Sequence, residues 1–167
     1  NVYIGASLDS WGSRAEYIRH GTDWSVIENN LTKIRQEAPH IHLQTNTVVS
    51  ILNIKTLTEF IDYMLGSGMI DADNYNPHFY NVMNPDFLSL QLLTESERND
   101  IIKKLKAFSQ MHRGNIEYAL RGVINGLRTA NHDPKLRTEF KKEMGYYDFI
   151  RKEDGKRTFP ELAELFV

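Results

Sequence analysis

Ser7-Leu8-Asp9 closes a run, Val2 to Asp9, that reads as a strand. Ligands in α/β folds bind at the carboxyl ends of parallel strands. Residues two apart on a strand point to the same face. Ser7 and Asp9 could thus offer a hydroxyl and a carboxylate to ribose hydroxyls or an amino group. The same residues also suit an ordinary turn, Asp9-Ser10-Trp11-Gly12-Ser13. Arg19, within Glu16-Tyr17-Ile18-Arg19-His20-Gly21, could clamp a carboxylate bidentately. Otherwise it is a surface arginine ahead of the next helix. Asn53 ends the stretch Asn46 to Asn53 just before a helix. It is either an amide ligand for a sugar or an N-cap.

Other constellations carry less chemistry. His40 and His42 could share one strand face, but zinc takes three or four ligands. A partly exposed pair at a strand start accounts for them. Lys103, Lys104 and Lys106 read as a solvated helix face. Arg151-Lys152 and Lys156-Arg157 are offset by Glu153 and Asp154. Phe79, Tyr80 and Phe87 read as core. A hydrolase built on Asp9 and a histidine would lack the Gly-x-Ser-x-Gly elbow.

These side chains must be positioned by a regular frame. Trp24, Ile27, Leu31 and Ile34 form a helical stripe after a cap at Thr22 or Asp23. Pro39 ends that helix near Ala38. Ile41, Leu43, Thr45, Thr47 and Val49 alternate with His42, Gln44, Asn46 and Val48, which predicts a long β-branched strand running towards Asn53. A helix follows from about Thr56 to Leu65, with Gly66 and Gly68 as stops. Phe79 to Met83 predicts a third strand, broken by Asn84-Pro85. Leu88 to Leu92 is a further short extended or apolar piece. The order β-α-β-α-β-α argues for parallel strands with crossover helices.

The second half is helical. Thr94-Glu95-Ser96-Glu97 is a capping box. Helices carry Ile101 to Phe108, Ile116 to Leu127, and Leu136, Phe140 and Met144. Gly155 marks a turn, and Pro160 opens a short last helix. Parallel sheets normally need both faces covered. The C-terminal helices could cover the open face, or the cover lies in a part of the protein outside this chain.

Composition limits the function. The chain has 167 residues, 41% of them hydrophobic and 25% charged, and a net charge of −2. That suits one globular domain with a real core. No clustered basic excess points to nucleic acid. No apolar run reaches the roughly 18 residues of a membrane span. There is no cysteine, which removes disulfides and thiolate-held metal and is compatible with a cytoplasmic location. The opening Asn1-Val2-Tyr3-Ile4 has no charged leader. A chain that starts directly in a strand also reads as a fragment of something longer.

A strand ending Ser7-Leu8-Asp9, then Arg19, a helix, and a strand ending in Asn53 before another helix resembles the middle of the radical S-adenosylmethionine enzymes. It is similar, more narrowly, to members with a short twitch tail. Glu16 to Trp24, Thr47 to Asn53, Asn84 to Leu93 and the aromatic stretch Tyr146 to Ile150 extend the resemblance. It is strongest over residues 2–93. The family's strand often has glycine directly after the aspartate; here Ser10-Trp11 precede Gly12.

The resemblance implies an α/β fold. Residues 1–93 would form about three βα units, equivalent to strands four to six of a partial parallel barrel. Residues 94–167 would form a helical C-terminal extension. Ser7 and Arg19 would meet the amino-acid end of S-adenosylmethionine. Asp9 would sit at the barrel mouth, with Asn53 near the ribose and Ser50 on the same strand as a further cofactor contact. The parent's four-iron four-sulfur cluster needs three close cysteines that this chain does not have, so the chain alone is expected to be inactive and at best a weak cofactor binder. The parent's substrate is open. Expected partners are an N-terminal half or another copy, joined through exposed sheet edges. The alternative is a free-standing α/β binding or oligomerisation module.

Overall fold

The computed structural model describes residues 2–166. Strands β1 (Val2–Ser7), β2 (Ile41–Val49) and β3 (His78–Asn81) form one parallel sheet in the order β1-β2-β3. Val2 pairs with Ile41 and Ser7 with Asn46; on the other side of β2, Asn46 pairs with His78 and Val49 with Asn81. The α/β class and the parallel order are those the sequence predicts.

Alternation along β2 sets the two faces of the sheet. Leu43, Thr45, Thr47 and Val49 are buried, whereas Val48 on the opposite face is exposed. The buried face is covered by helices. Helix α2 (Trp24–Glu37) is capped by the Asp23 side chain, which accepts the Val26 N–H. Helix α3 (Leu57–Gly66) buries Leu57, Phe60, Ile61 and Met64, each at most 1% exposed. Their spacing of three and four residues makes one stripe, and each such side chain contributes about 1.5–3 kcal/mol on burial.

Several boundaries differ from expectation. Strand β1 stops at Ser7, because Asp9 has left the ladder to use its side chain. The expected polar turn after it holds a short helix, α1 (Gly12–Ile18). Nothing in Gly12-Ser13-Arg14-Ala15-Glu16 shows apolar periodicity, and only Ala15 and Tyr17 are buried. Residues Leu88 to Leu92 are not a strand but lie in two 3-10 turns, Asp86–Leu88 and Leu90–Leu92.

The C-terminal half contains α4 (Glu95–Met111), α5 (Asn115–Thr129), α6 (Lys135–Arg151) and the short α7 (Gly155–Thr158). The capping box on α4 is complete: Glu97 N–H donates to Thr94 Oγ1, and Glu97 accepts from the Thr94 backbone. Helix α5 runs along β3, and one buried cluster spans both halves, from Leu8 and Leu57 to Phe140 and Phe159. None of these helices closes over the second face of the sheet, where Tyr3 (61%), Val48 (39%) and Tyr80 (56%) are exposed. Tyr80 is therefore not core, as its aromatic neighbours had suggested; Phe87 is buried, and Phe79 packs against the core. Tyr80 pairs with Val48 on the bare face. No helix is long and apolar enough to cross a membrane among the described residues.

Candidate functional site

The carboxyl ends of β1 and β2 are tied together by side chains rather than by further ladder. Asp9 is 6% exposed. Its Oδ1 accepts the Val48 N–H at 2.7 Å, and its Oδ2 accepts the Arg19 Nε–H at 2.9 Å. Thr47 Oγ1 donates to Leu8 O at 2.7 Å. The chain can leave the sheet after Ser7 because these groups replace the missing backbone partners.

Asn53 is the second tie. Its Nδ2 donates both protons, to Asp9 O at 2.9 Å and to Val48 O at 2.8 Å, and its Oδ1 accepts the Ser50 N–H at 2.8 Å. The residue is 2% exposed. Ser50, also buried, accepts the Leu52 N–H on Oγ. Asn53 makes no side-chain cap to the helical turn that follows it. Its amide instead binds one strand end to the other.

Arg19 differs from these framework residues. It ends α1, with its N–H on Ala15 O. Only its Nε is engaged by a side chain, and 39% of its side chain is exposed. The two terminal amino groups carry no hydrogen bond among the described residues. A guanidinium fixed through Nε presents those groups as a paired donor for a carboxylate or another anion.

Ser7 is exposed on the bare face, in one row with Asn46 and His78. Asn46 lies across Gly5, where an added Cβ would come within 2.6 Å of its Nδ2. Ser10 Oγ is buried beside Asp9 with no partner. The five residues singled out in the sequence thus converge on two neighbouring strand ends. Asp9, Ser50 and Asn53 face inward on backbone groups, while Ser7 and Arg19 keep accessible polar atoms.

The sequence gives no sign of what holds α1 in place. Tyr17 OH donates to Asp148 Oδ1 at 2.7 Å, and Asp148 also accepts the Gly155 N–H. Arg14 makes a two-pronged pair with Glu161 at 2.5 and 2.8 Å. His20 Nδ1 lies 2.7 Å from Glu153 Oε1. Burial pushes the Tyr17 phenol well above its ordinary value, and the Asp148 carboxylate pushes it the same way. A cavity of about 170 Å³ is lined by Ile18, Leu52, Phe87, Tyr147 and Arg151. Two of these, Ile18 and Leu52, are chain neighbours of Arg19 and Asn53.

No group of three or more potential metal-ligating side chains is present among the described residues. The sequence has no thiolate for an iron–sulfur cluster, so a cluster does not fit this chain. The free guanidinium edge of Arg19 has the paired donors that a carboxylate accepts from. No protein-family model, curated protein or solved structure matches this chain.

Proposed function

We propose that this chain is the C-terminal half of a radical S-adenosylmethionine enzyme and contributes part of the cofactor and substrate site. Its three parallel strands would be strands four to six of a partial barrel, with the bare face turned to the interior. The single observation that carries this reading is Arg19, anchored by Asp9 at the carboxyl end of β1 beside an uncovered sheet face. Arg19 would hold the cofactor carboxylate, and Ser7 would meet its amino-acid end from the sheet. Asp9, Ser50 and Asn53 would act by holding the two strand ends. Bound S-adenosylmethionine supplies the radical chemistry only with a cluster held by cysteines outside this chain.

Isothermal titration of the chain with S-adenosylmethionine tests the reading. Weak saturable binding, with Kd of about a millimolar, is expected, together with its loss in Arg19→Ala. Binding unaffected by that substitution would sink the assignment of Arg19. The uncovered face and the unpaired edge of β1 also favour a second reading, a module that oligomerises without catalysis. A stable homodimer with no cofactor binding would select it.

A further inference from the structure

Helix α1 carries Arg19 at its end and has little of its own to hold it there. Only Ala15 and Tyr17 are buried along its seven residues. Gly12 and Gly21 flank it with φ of +55° and +90°, and a Cβ at either would meet nothing within 4 Å. Paired glycines in open space let a short segment change direction at both ends.

The start of α1 is fixed to the layer of helices on the sheet. The Trp11 ring stacks on Tyr63 of α3 at 5.6 Å, and Glu16 accepts the Trp24 N–H at 2.9 Å. Apart from the bond of Arg19 to Asp9, the other polar side-chain ties of residues 12–20 to distant parts of the chain run to one segment, Asp148 to Glu161, among the described residues. Arg14 pairs with Glu161, Tyr17 OH donates to Asp148, and His20 Nδ1 lies against Glu153. Arg151 adds a bond to Tyr17 O at 3.4 Å. Phe159, fully buried, meets the Tyr17 ring edge-on at 5.1 Å, and the Arg14 guanidinium lies over it at 5.2 Å. Gly155 closes on Tyr17 so tightly that an added Cβ would come within 2.6 Å of its hydroxyl.

We propose that the segment from Asp148 to Glu161 is a strap that latches α1, and that Arg19 presents its guanidinium at the strand ends only while the strap is docked. The inference rests on the reading of Arg19 as the carboxylate holder and adds what controls it. Two of the ties, Arg14 to Glu161 and His20 to Glu153, join side chains that are 17–49% exposed, where each such pair contributes little. The tie that joins helix to strap most directly is Asp148, whose Oδ1 accepts both the Tyr17 O–H and the Gly155 N–H. Release of the strap would let α1 turn at its glycines and draw the guanidinium off Asp9. Asp9 would keep the Val48 N–H, so the sheet would stay closed.

Hydrogen exchange followed by NMR on the full chain tests the latch, measured without ligand so that its outcome is separate from whether the chain binds S-adenosylmethionine. Arg19 Nε–H and Val48 N–H share the Asp9 carboxylate; Val48 reports on the sheet and Arg19 on the helix. In Asp148→Ala the Arg19 Nε–H should exchange about tenfold faster relative to the Val48 N–H than in the wild type. Asp148→Asn keeps the oxygen that joins Tyr17 and Gly155, and should restore the wild-type ratio. Arg14→Gln removes only a partly exposed tie and should raise the ratio about threefold; it decides the matter if Asp148→Ala does not fold. An unchanged ratio in the deciding variant would overturn the strap. Equal acceleration of both groups would overturn it too, since the segment would then only stabilise the fold as a whole.

Discussion

Asp9 divides its carboxylate between Val48 and Arg19: one oxygen takes the Val48 N–H at 2.7 Å and the other takes the Arg19 Nε–H at 2.9 Å. The same residue therefore finishes the β1–β2 ladder and aims the guanidinium. The ladder bond is part-buried, and the arginine end is partly in solvent, where such pairs contribute little.

Asp9→Ala removes both bonds and leaves the part-buried Val48 N–H without its side-chain partner. Such an unsatisfied group costs about 1–3 kcal/mol. Asp9→Asn keeps an acceptor for Val48 and loses only the charge on Arg19. The alanine variant should thus be destabilised by about 2 kcal/mol and the asparagine variant by less than half of that. Urea unfolding midpoints of the two variants decide it, and equal losses would remove the ladder role.

Asn53→Asp should be more damaging than Asn53→Ala. The amide donates to Asp9 O and Val48 O. An aspartate there turns two attractive contacts into a carboxylate facing two carbonyl oxygens. Alanine loses three hydrogen bonds, each worth about 1 kcal/mol net, but adds no repulsion. A thermal midpoint for Asn53→Asp at or above that of Asn53→Ala would contradict the geometry.

The alternation of β2 and the spacing of Leu57, Phe60, Ile61 and Met64 were legible because burial on one face imposes a period. The capping box at Thr94 and Glu97 was legible because it is local. Helix α1 was not, since its two buried residues, Ala15 and Tyr17, set no repeat. The ties from Tyr17 to Asp148 and from Arg14 to Glu161 join residues far apart in sequence, and no spacing rule reaches across such a gap. The clustering of Ser7, Asp9, Ser50 and Asn53 was legible as strand ends, whereas Arg19 reaches them from the end of α1. Which of them would face backbone and which solvent depended on side-chain direction after the strand ends, where period two no longer applies.

Tyr17 and Tyr75 predict an alkaline limit to stability. Burial lifts the Tyr17 phenol far above 10.0, reinforced by Asp148. Burial pushes Tyr75 up to about 12, against its hydrogen bond to Thr45. Both groups hold a proton in the folded chain that the unfolded chain releases. Their contribution is complete below the ordinary tyrosine value and is lost as pH rises through the folded values. Stability should fall above pH about 10, by up to about 1.4 kcal/mol per pH unit for each tyrosine. Tyr17→Phe should flatten that fall while costing about 1 kcal/mol at neutral pH, for the bond to Asp148. Guanidinium unfolding across alkaline pH measures both, and an unchanged slope in Tyr17→Phe would refute the assignment.

Glu97 sets the corresponding acid limit. Burial alone would raise its carboxyl, but the Thr94 backbone and hydroxyl hold it down, and the charges of Arg137 and Lys55 add to them. The net direction is below the ordinary 4.5. A lowered carboxyl contributes stability above its unfolded value and loses it as pH falls through the folded one. The wild-type chain should therefore weaken as pH falls below about 4.5, an effect that the partial exposure of Glu97 moderates. Glu97→Gln keeps an oxygen to accept the Thr94 N–H and removes the charge. It should cost about 1 kcal/mol at neutral pH and show a shallower acid decline. Since Glu97 joins the start of α4 to Arg137 on α6 and to Lys55 ahead of α3, the loss should appear as one cooperative transition shifted to lower denaturant. Separate transitions for the two halves of the chain would mean that Glu97 does not couple them.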